Sequence, residues 1–414
     1  MSKQQFSERL CAWIDQHFEE EVSVLQQLIR IPTDTPPGNN APHADAVAEL
    51  VQSWGWQAEK HAVPAEQVRD YGMQSITNLI VRRPYGDGGP TLALNAHGDV
   101  VPPGEGWTHD PYGGEVADGR IYGRAAAVSK SDFASYIFAT RALESLGAAL
   151  RGAVELHFTY DEEFGGVLGP GWLLEQKLTR PDYVLAAGFS YNVVTAHNAC
   201  LQFEVTVHGR ATHGSMPETG HDALQAANAI LNAIYGALPG LKDIRSSIPG
   251  ISHPTMIVGR IDGGTNTNVV PGKVVLKMDR RMIPEEDPAQ VEAGVRKLIE
   301  DAVAGLPGIR VEIRRLLLAR ALRPLPGHEK LVDSLLRNAR QVMGETLTTN
   351  GSALYTDARL YGEAGIPVVL FGAGPRTLME SNAKQADENL ALDDLKKATK
   401  VVALMLLDFL GPQD

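Results

Sequence analysis

The sequence predicts an α/β protein in two parts: a layered α/β domain interrupted by an inserted ferredoxin-like (βαββαβ) module. Three observations carry this. Helix-period and strand-like runs alternate through the first 198 residues and again from 318 onward. Between them the order reads β-α-β-β-α-β, the split βαβ pattern. A length of 414 residues also exceeds what one ordinary core organises. The expected division is 1–198 with 318–414 for the discontinuous α/β domain, and 199–317 for the insert.

The elements follow in chain order. Phe6, Leu10, Trp13, Ile14, Phe18, Val22, Leu25 and Leu28 recur at helical spacing over residues 4–30. After the structure-breaking run PTDTPPGNNAPH a helix is expected over 44–54. Strands are expected at 78–82, 91–96, 155–159 and 183–186, with helices at 133–146 and 171–176. The insert offers strands at 201–207, 255–261, 269–278 and 310–316, with helices at 222–235 and 288–303. A helix at 330–343, a strand at 367–371 and a helix at 392–410 complete the first domain.

Composition narrows the function. The 38 Lys+Arg against 50 Asp+Glu give a formal charge of −12, which argues against nucleic acid and anionic membranes as partners. No apolar run approaches the roughly 18–20 residues that span a bilayer, and the N-terminus lacks a signal core. Two cysteines, Cys11 and Cys200, make neither a disulfide framework nor a four-thiolate metal site. The expectation is a cytoplasmic protein acting on a small molecule.

Two clusters carry chemistry. Ala96-His97-Gly98-Asp99 follows a strand, where open α/β sheets place their ligands. A His two residues before an Asp suits a metal ligand oriented by a carboxylate, or a plain structural hydrogen bond. Asp161-Glu162-Glu163 follows the next strand and precedes Gly165-Gly166. Adjacent carboxylates repel unless cations or partners lie close, so this run reads as a ligand beside a general base, or as a solvated acidic loop.

These clusters sit in a longer pattern: His97-Gly98-Asp99-Val100-Val101-Pro102, Trp107, Pro111, Tyr122-Gly123-Arg124, Lys130 and Asp161-Glu162-Glu163-Phe164-Gly165-Gly166. Further on come Gly263-Gly264-Thr265, Asn268-Val269-Val270-Pro271, Asp279-Arg280-Arg281 and Thr356-Asp357-Ala358-Arg359. The chain resembles the zinc aminoacylase family of acetylornithine deacetylases, succinyl-diaminopimelate desuccinylases, carboxypeptidase G-type enzymes and dipeptidases. The resemblance implies a zinc-peptidase-like catalytic domain with a lid and dimerisation insert, a homodimer, and hydrolysis of a small carboxylate-bearing amide. It makes His97 a zinc ligand with Asp99 behind it, Glu162 the general base and Glu163 a ligand of the second zinc. His213 matches the lid histidine that reaches the partner subunit's site, while Asn268 and Arg281 match residues that hold substrate.

The sequence departs from the pattern at three ligand positions. Val128 stands where the bridging Asp belongs, Ala187 where a Glu or Asp ligand belongs, and Lys384 where the last His belongs. Structural and catalytic zinc sites usually use three or four protein ligands, so a two-zinc centre is not expected. The cofactor is left unknown: at most one divalent metal, zinc or manganese, or none. The losses are mutually consistent, since two carboxylates disappear and an ammonium arrives that can pair with Glu163.

Three functional readings follow. The first is an amidohydrolase with Glu162 as base and Lys384 or His213 stabilising the oxyanion. The second makes Ser129 or Ser131 a nucleophile beside Lys130, against inherited architecture. The third is a silent homologue that binds a small carboxylate. His109 and His197 read as structural.

Overall fold

Residues 2–412 are described by a computed structural model of the chain. They divide into two units: residues 2–195 with Pro324–Asn350 and 356–412, and Ala196–Arg323 with Gly351–Tyr355.

The first unit is built on an eight-stranded sheet. Its spatial order is Ala58–Ala62, Thr77–Gly86, Gly152–Thr159, Thr91–His97, Tyr183–Ala186, Val368–Leu370, Val193–His197 and Thr349–Ser352. The four central strands are parallel, and antiparallel strands flank them. Central parallel strands are covered on both faces, which explains why Leu92, Ala93, Leu94 and Ala96 form a buried apolar run broken only by Asn95. Helix Lys3–Ile29 starts at a capping box, in which Ser2 accepts from Gln5 N and the Gln5 side chain reaches back. It packs with helices Lys130–Ser145 and Leu392–Leu410 into the main core. Among the described residues no helix is long and apolar enough to cross a membrane.

The second unit has a four-stranded antiparallel sheet in the order Thr255–Gly263, Lys273–Met282, Ala199–His208, Arg310–Ala319. Helices Ala223–Asp243 and Pro288–Val303 supply its core, giving the ferredoxin-like βαββαβ chain order. Both helices begin at an aspartate: Asp222 accepts from Leu224 N and Gln225 N, Asp287 from Gln290 N. Burial along Lys273–Met282 alternates strictly, as a half-buried strand requires.

The sequence suggests one strand over 269–278, but the chain makes two. Pro271 lacks the N–H that a central strand donates, so Val269–Val270 pairs instead with Thr212–His213. Lys273–Met282 then starts afresh between its neighbours.

Candidate active site

His97 ends its strand in register with Thr159, and Asn95 lies opposite Ala186. The loops after three parallel neighbours therefore emerge side by side, bringing Asp161–Glu163 and Ala187 to the same sheet edge as His97. Ala187 N donates to Asn95 O at 2.8 Å. This is the carboxyl end of the strands, where α/β sheets bind ligands.

Asp99, fully buried, organises the edge. Its carboxylate accepts from Glu162 N at 3.2 Å and Glu163 N at 2.9 Å, fixing the short helical turn Glu162–Phe164. His97 Nδ1 lies 3.0 Å from the Asp99 carbonyl oxygen and 3.5 Å from its carboxylate, which turns Nε2 toward Glu162 Oε2 at 3.9 Å. The ammonium of Lys384 meets Glu163 Oε2 at 2.6 Å. The structure thus brings His97, Asp99, Glu162, Glu163 and Lys384 together.

Burial shifts these groups strongly. It pushes the Glu162 carboxyl well above the ordinary carboxylate range, with Glu163 adding to the rise and His97 and Lys384 opposing it. Burial alone would lower His97, but the hydrogen bond to Asp99 and the charges of Glu162, Asp99 and Glu163 outweigh it and hold the imidazole high. The half-exposed Lys384 ammonium is partly desolvated, and Glu163 and Glu162 outweigh that and hold it charged.

The Lys384 loop is strained. Asn382, Lys384 and Asp387 all have left-handed backbones, φ 50°, 63° and 55°, which side chains other than glycine's rarely adopt. A buried carboxylate holds Lys384 there. Glu388 Oε2 accepts from Arg124 Nη1 and from Lys384 N, the latter at 3.2 Å; its Oε1 accepts from Ala127 N at 3.1 Å and Val128 N at 3.3 Å. One side chain therefore ties the Val128 turn to the Lys384 loop.

The side chains present do not fit a two-zinc centre. Val128 offers an isopropyl group, Ala187 a methyl and Lys384 a positive charge, leaving His97 and Glu163 as donors with one apiece for the two ions. Among the described residues no group of three or more His, Cys, Asp or Glu is arranged to hold a metal ion.

Other candidates find different partners. Lys130 Nζ is buried and donates to Leu28 O at 3.0 Å and Ile31 O at 2.7 Å, a structural anchorage rather than a base beside a serine. His109 bonds Glu115 at 2.9 Å and stacks on Tyr122. His197 is buried in a strand and bridges to Leu322.

In the second unit His213 is exposed on the short strand beside Val269, and Gly214 N donates to Asn268 O at 2.7 Å, so His213 and Asn268 are neighbours. Arg281 lies on another strand. Its Nε donates to Asp279 Oδ1 at 2.8 Å and its guanidinium sits 5.2 Å from the Tyr355 ring centre.

Sequence reasoning assigns no role to Asp357, Glu388 or Asp279. Asp357 is buried with Oδ2 unpartnered, and burial raises it while His97 and Arg359 oppose. Asp279 and Asp357 lie inside recognisable motifs and Glu388 does not, but in each case only folding reveals what the carboxylate holds.

A family model described as peptidase family M20/M25/M40 matches residues 93–408. A succinyl-diaminopimelate desuccinylase of Methylobacterium radiotolerans is 29% identical over 394 residues, covering 92% of this chain and 95% of its own. An acetylornithine deacetylase of Myxococcus xanthus is 28% identical, covering 94% and 97%. Among solved structures, human carnosine dipeptidase 1 shares the fold at TM-score 0.76 and 19% identity, over 97% and 99% of the chains. A metallo-carboxypeptidase from Sulfolobus solfataricus does so at TM-score 0.77 and 19% identity, over 94% and 98%.

Proposed function

Because the chain belongs to peptidase family M20/M25/M40, we propose that it hydrolyses the amide bond of a small carboxylate-bearing substrate, an N-acyl amino acid or a dipeptide-like molecule. The observation that carries the reading is Glu162, fixed through its backbone by Asp99 and facing His97 at the carboxyl end of the central strands. An ionised Glu162 takes a proton from water while the water oxygen bonds to the carbonyl carbon. It then returns that proton to the amine nitrogen as the carbon–nitrogen bond breaks. The ammonium of Lys384 or the imidazole of His213 stabilises the oxyanion, and Asn268 and Arg281 hold the substrate carboxylate.

We infer also a homodimer through the second unit. The edge strand Thr255–Gly263 exposes Ile257 and Ile261, at 57% and 50%, on a sheet margin open to pairing. A cytoplasmic location suits Cys11 and Cys200, which are both unpaired.

A panel of N-acetyl and N-succinyl amino acids and unmodified dipeptides tests the reading by release of free amine. Turnover of at least one member is expected. Saturable binding of a member with no amine released from any of them would return the silent binding protein in its place.

A further inference from the structure

The misfit between this site and the family's zinc centre has a definite form. Three side chains differ, and the backbone that carries them converges on one place. Ala187 emerges beside His97 through the parallel strands. Val128 and Lys384 are tied to each other through the Glu388 carboxylate, which accepts from both backbone amides. Glu163, whose resemblance makes it a metal ligand, has an ammonium at 2.6 Å.

We propose that Lys384 is the built-in counter-ion of this site: its ammonium occupies the role of a divalent ion against Glu163, so that the site takes no metal. The proposal rests on the hydrolase reading only in treating the site as catalytic. The physical grounds are three. A carboxylate whose charge is met by an ammonium at hydrogen-bond distance gains little from a further cation, which would have to displace Lys384 into like-charge repulsion. Two donors supplied by His97 and Glu163 fall short of the three or four that hold zinc. The strained left-handed backbone at Lys384, retained under a buried Arg124–Glu388 ion pair, is the mark of a side chain held where it is needed.

Two side chains then separate this site from a metal-binding one. Val128→Asp and Lys384→His together remove the ammonium and place a carboxylate and an imidazole near Glu163, making three ligands from the same backbone.

The test is metal content by elemental mass spectrometry, on full-length protein purified without a metal-affinity tag, incubated with zinc or manganese and then dialysed. The wild-type chain is expected to retain neither ion, and its thermal midpoint to be unmoved by either ion or by chelator. The Val128→Asp/Lys384→His variant is expected to retain about one zinc per chain. Stoichiometric metal in the wild type, or a midpoint raised by zinc and lowered by chelator, overturns the proposal without need of any variant. A folded double variant that retains no zinc overturns the assignment of Val128 and Lys384 as the displaced ligands. Metal content is read without substrate, so a metal-free wild type that turns nothing over would fail the hydrolase reading and leave this inference standing.

Discussion

Arg281 and Asp279 lie on one strand two residues apart, and Nε of the first donates to Oδ1 of the second at 2.8 Å. The other oxygen of Asp279 accepts from Gln202 Nε2 at 3.0 Å and Cys200 Sγ at 3.3 Å. Asp279 thus locks the guanidinium by its inner nitrogen and leaves the two terminal nitrogens as a fork for a carboxylate. Replacing Arg281 by Lys keeps the charge and loses the fork. The expected result is a KM for the carboxylate-bearing substrate raised about tenfold, with kcat changed far less. Asp279→Ala should move KM the same way by freeing the guanidinium. Steady-state kinetics check both, and equal losses in kcat would refute substrate holding.

The Arg124–Glu388 pair has both side chains 1% exposed, so breaking it strands a buried charge. Glu388→Ala is expected to cost about 3–5 kcal/mol in urea unfolding. It should also reduce turnover, because the Lys384 loop and the Val128 turn share that carboxylate. A variant of unchanged stability would contradict the anchoring role.

Glu21 is buried between helices, with Oε1 accepting from Thr399 Oγ1 at 2.6 Å and Oε2 unpartnered. Burial pushes its carboxyl up to about 8 against the opposing effects of Thr399 and Lys396. Because the folded chain holds this proton more tightly than the unfolded one, the stabilisation is complete below the ordinary carboxylate value. It is lost as pH rises toward about 8. Glu21→Gln should be more stable than wild type above that pH, by roughly 2–5 kcal/mol, since each tenfold difference in proton affinity between the folded and unfolded chain is worth about 1.4 kcal/mol. Chemical denaturation at several pH values checks this, and parallel pH profiles for the two proteins would contradict it.

Glu162 must be ionised to act as a base, and burial holds its proton against the pull of His97 and Lys384. Glu163 and Asp357 also face it and favour the protonated form. The rising limb of kcat/KM against pH is therefore expected well above the ordinary carboxylate range. In Lys384→Met it should move further up, since a cation that favours ionisation is gone. A limb in the usual carboxylate range would show that another group is the base.

The fold was legible where periodicity is strong. The helix over 392–410, the strand at 183–186 and the ferredoxin-like order all match the observed elements. Short strands such as Ala58–Ala62 and Asn389–Ala391 gave no signal, because two or three alternations do not stand out from loop composition. That His97, Glu162 and Glu163 meet at one sheet edge was legible from their place after strands. Glu388 was not: its neighbours in sequence are polar, and its partners Arg124, Ala127 and Val128 lie more than 250 residues away in the chain. Asp279 escaped for a different reason, since a motif reports which residues recur and not which of them holds another in place.

The most direct test of the account is the rate of amine release from the best N-acyl amino acid by wild type and by Glu162→Gln, with binding of the same substrate measured for both. The amide cannot accept the water's proton, so kcat is expected to fall by about 10²–10⁴-fold while binding stays near the wild-type value. Equal turnover by the two proteins would contradict the account, because the reaction would then run without the base on which it depends.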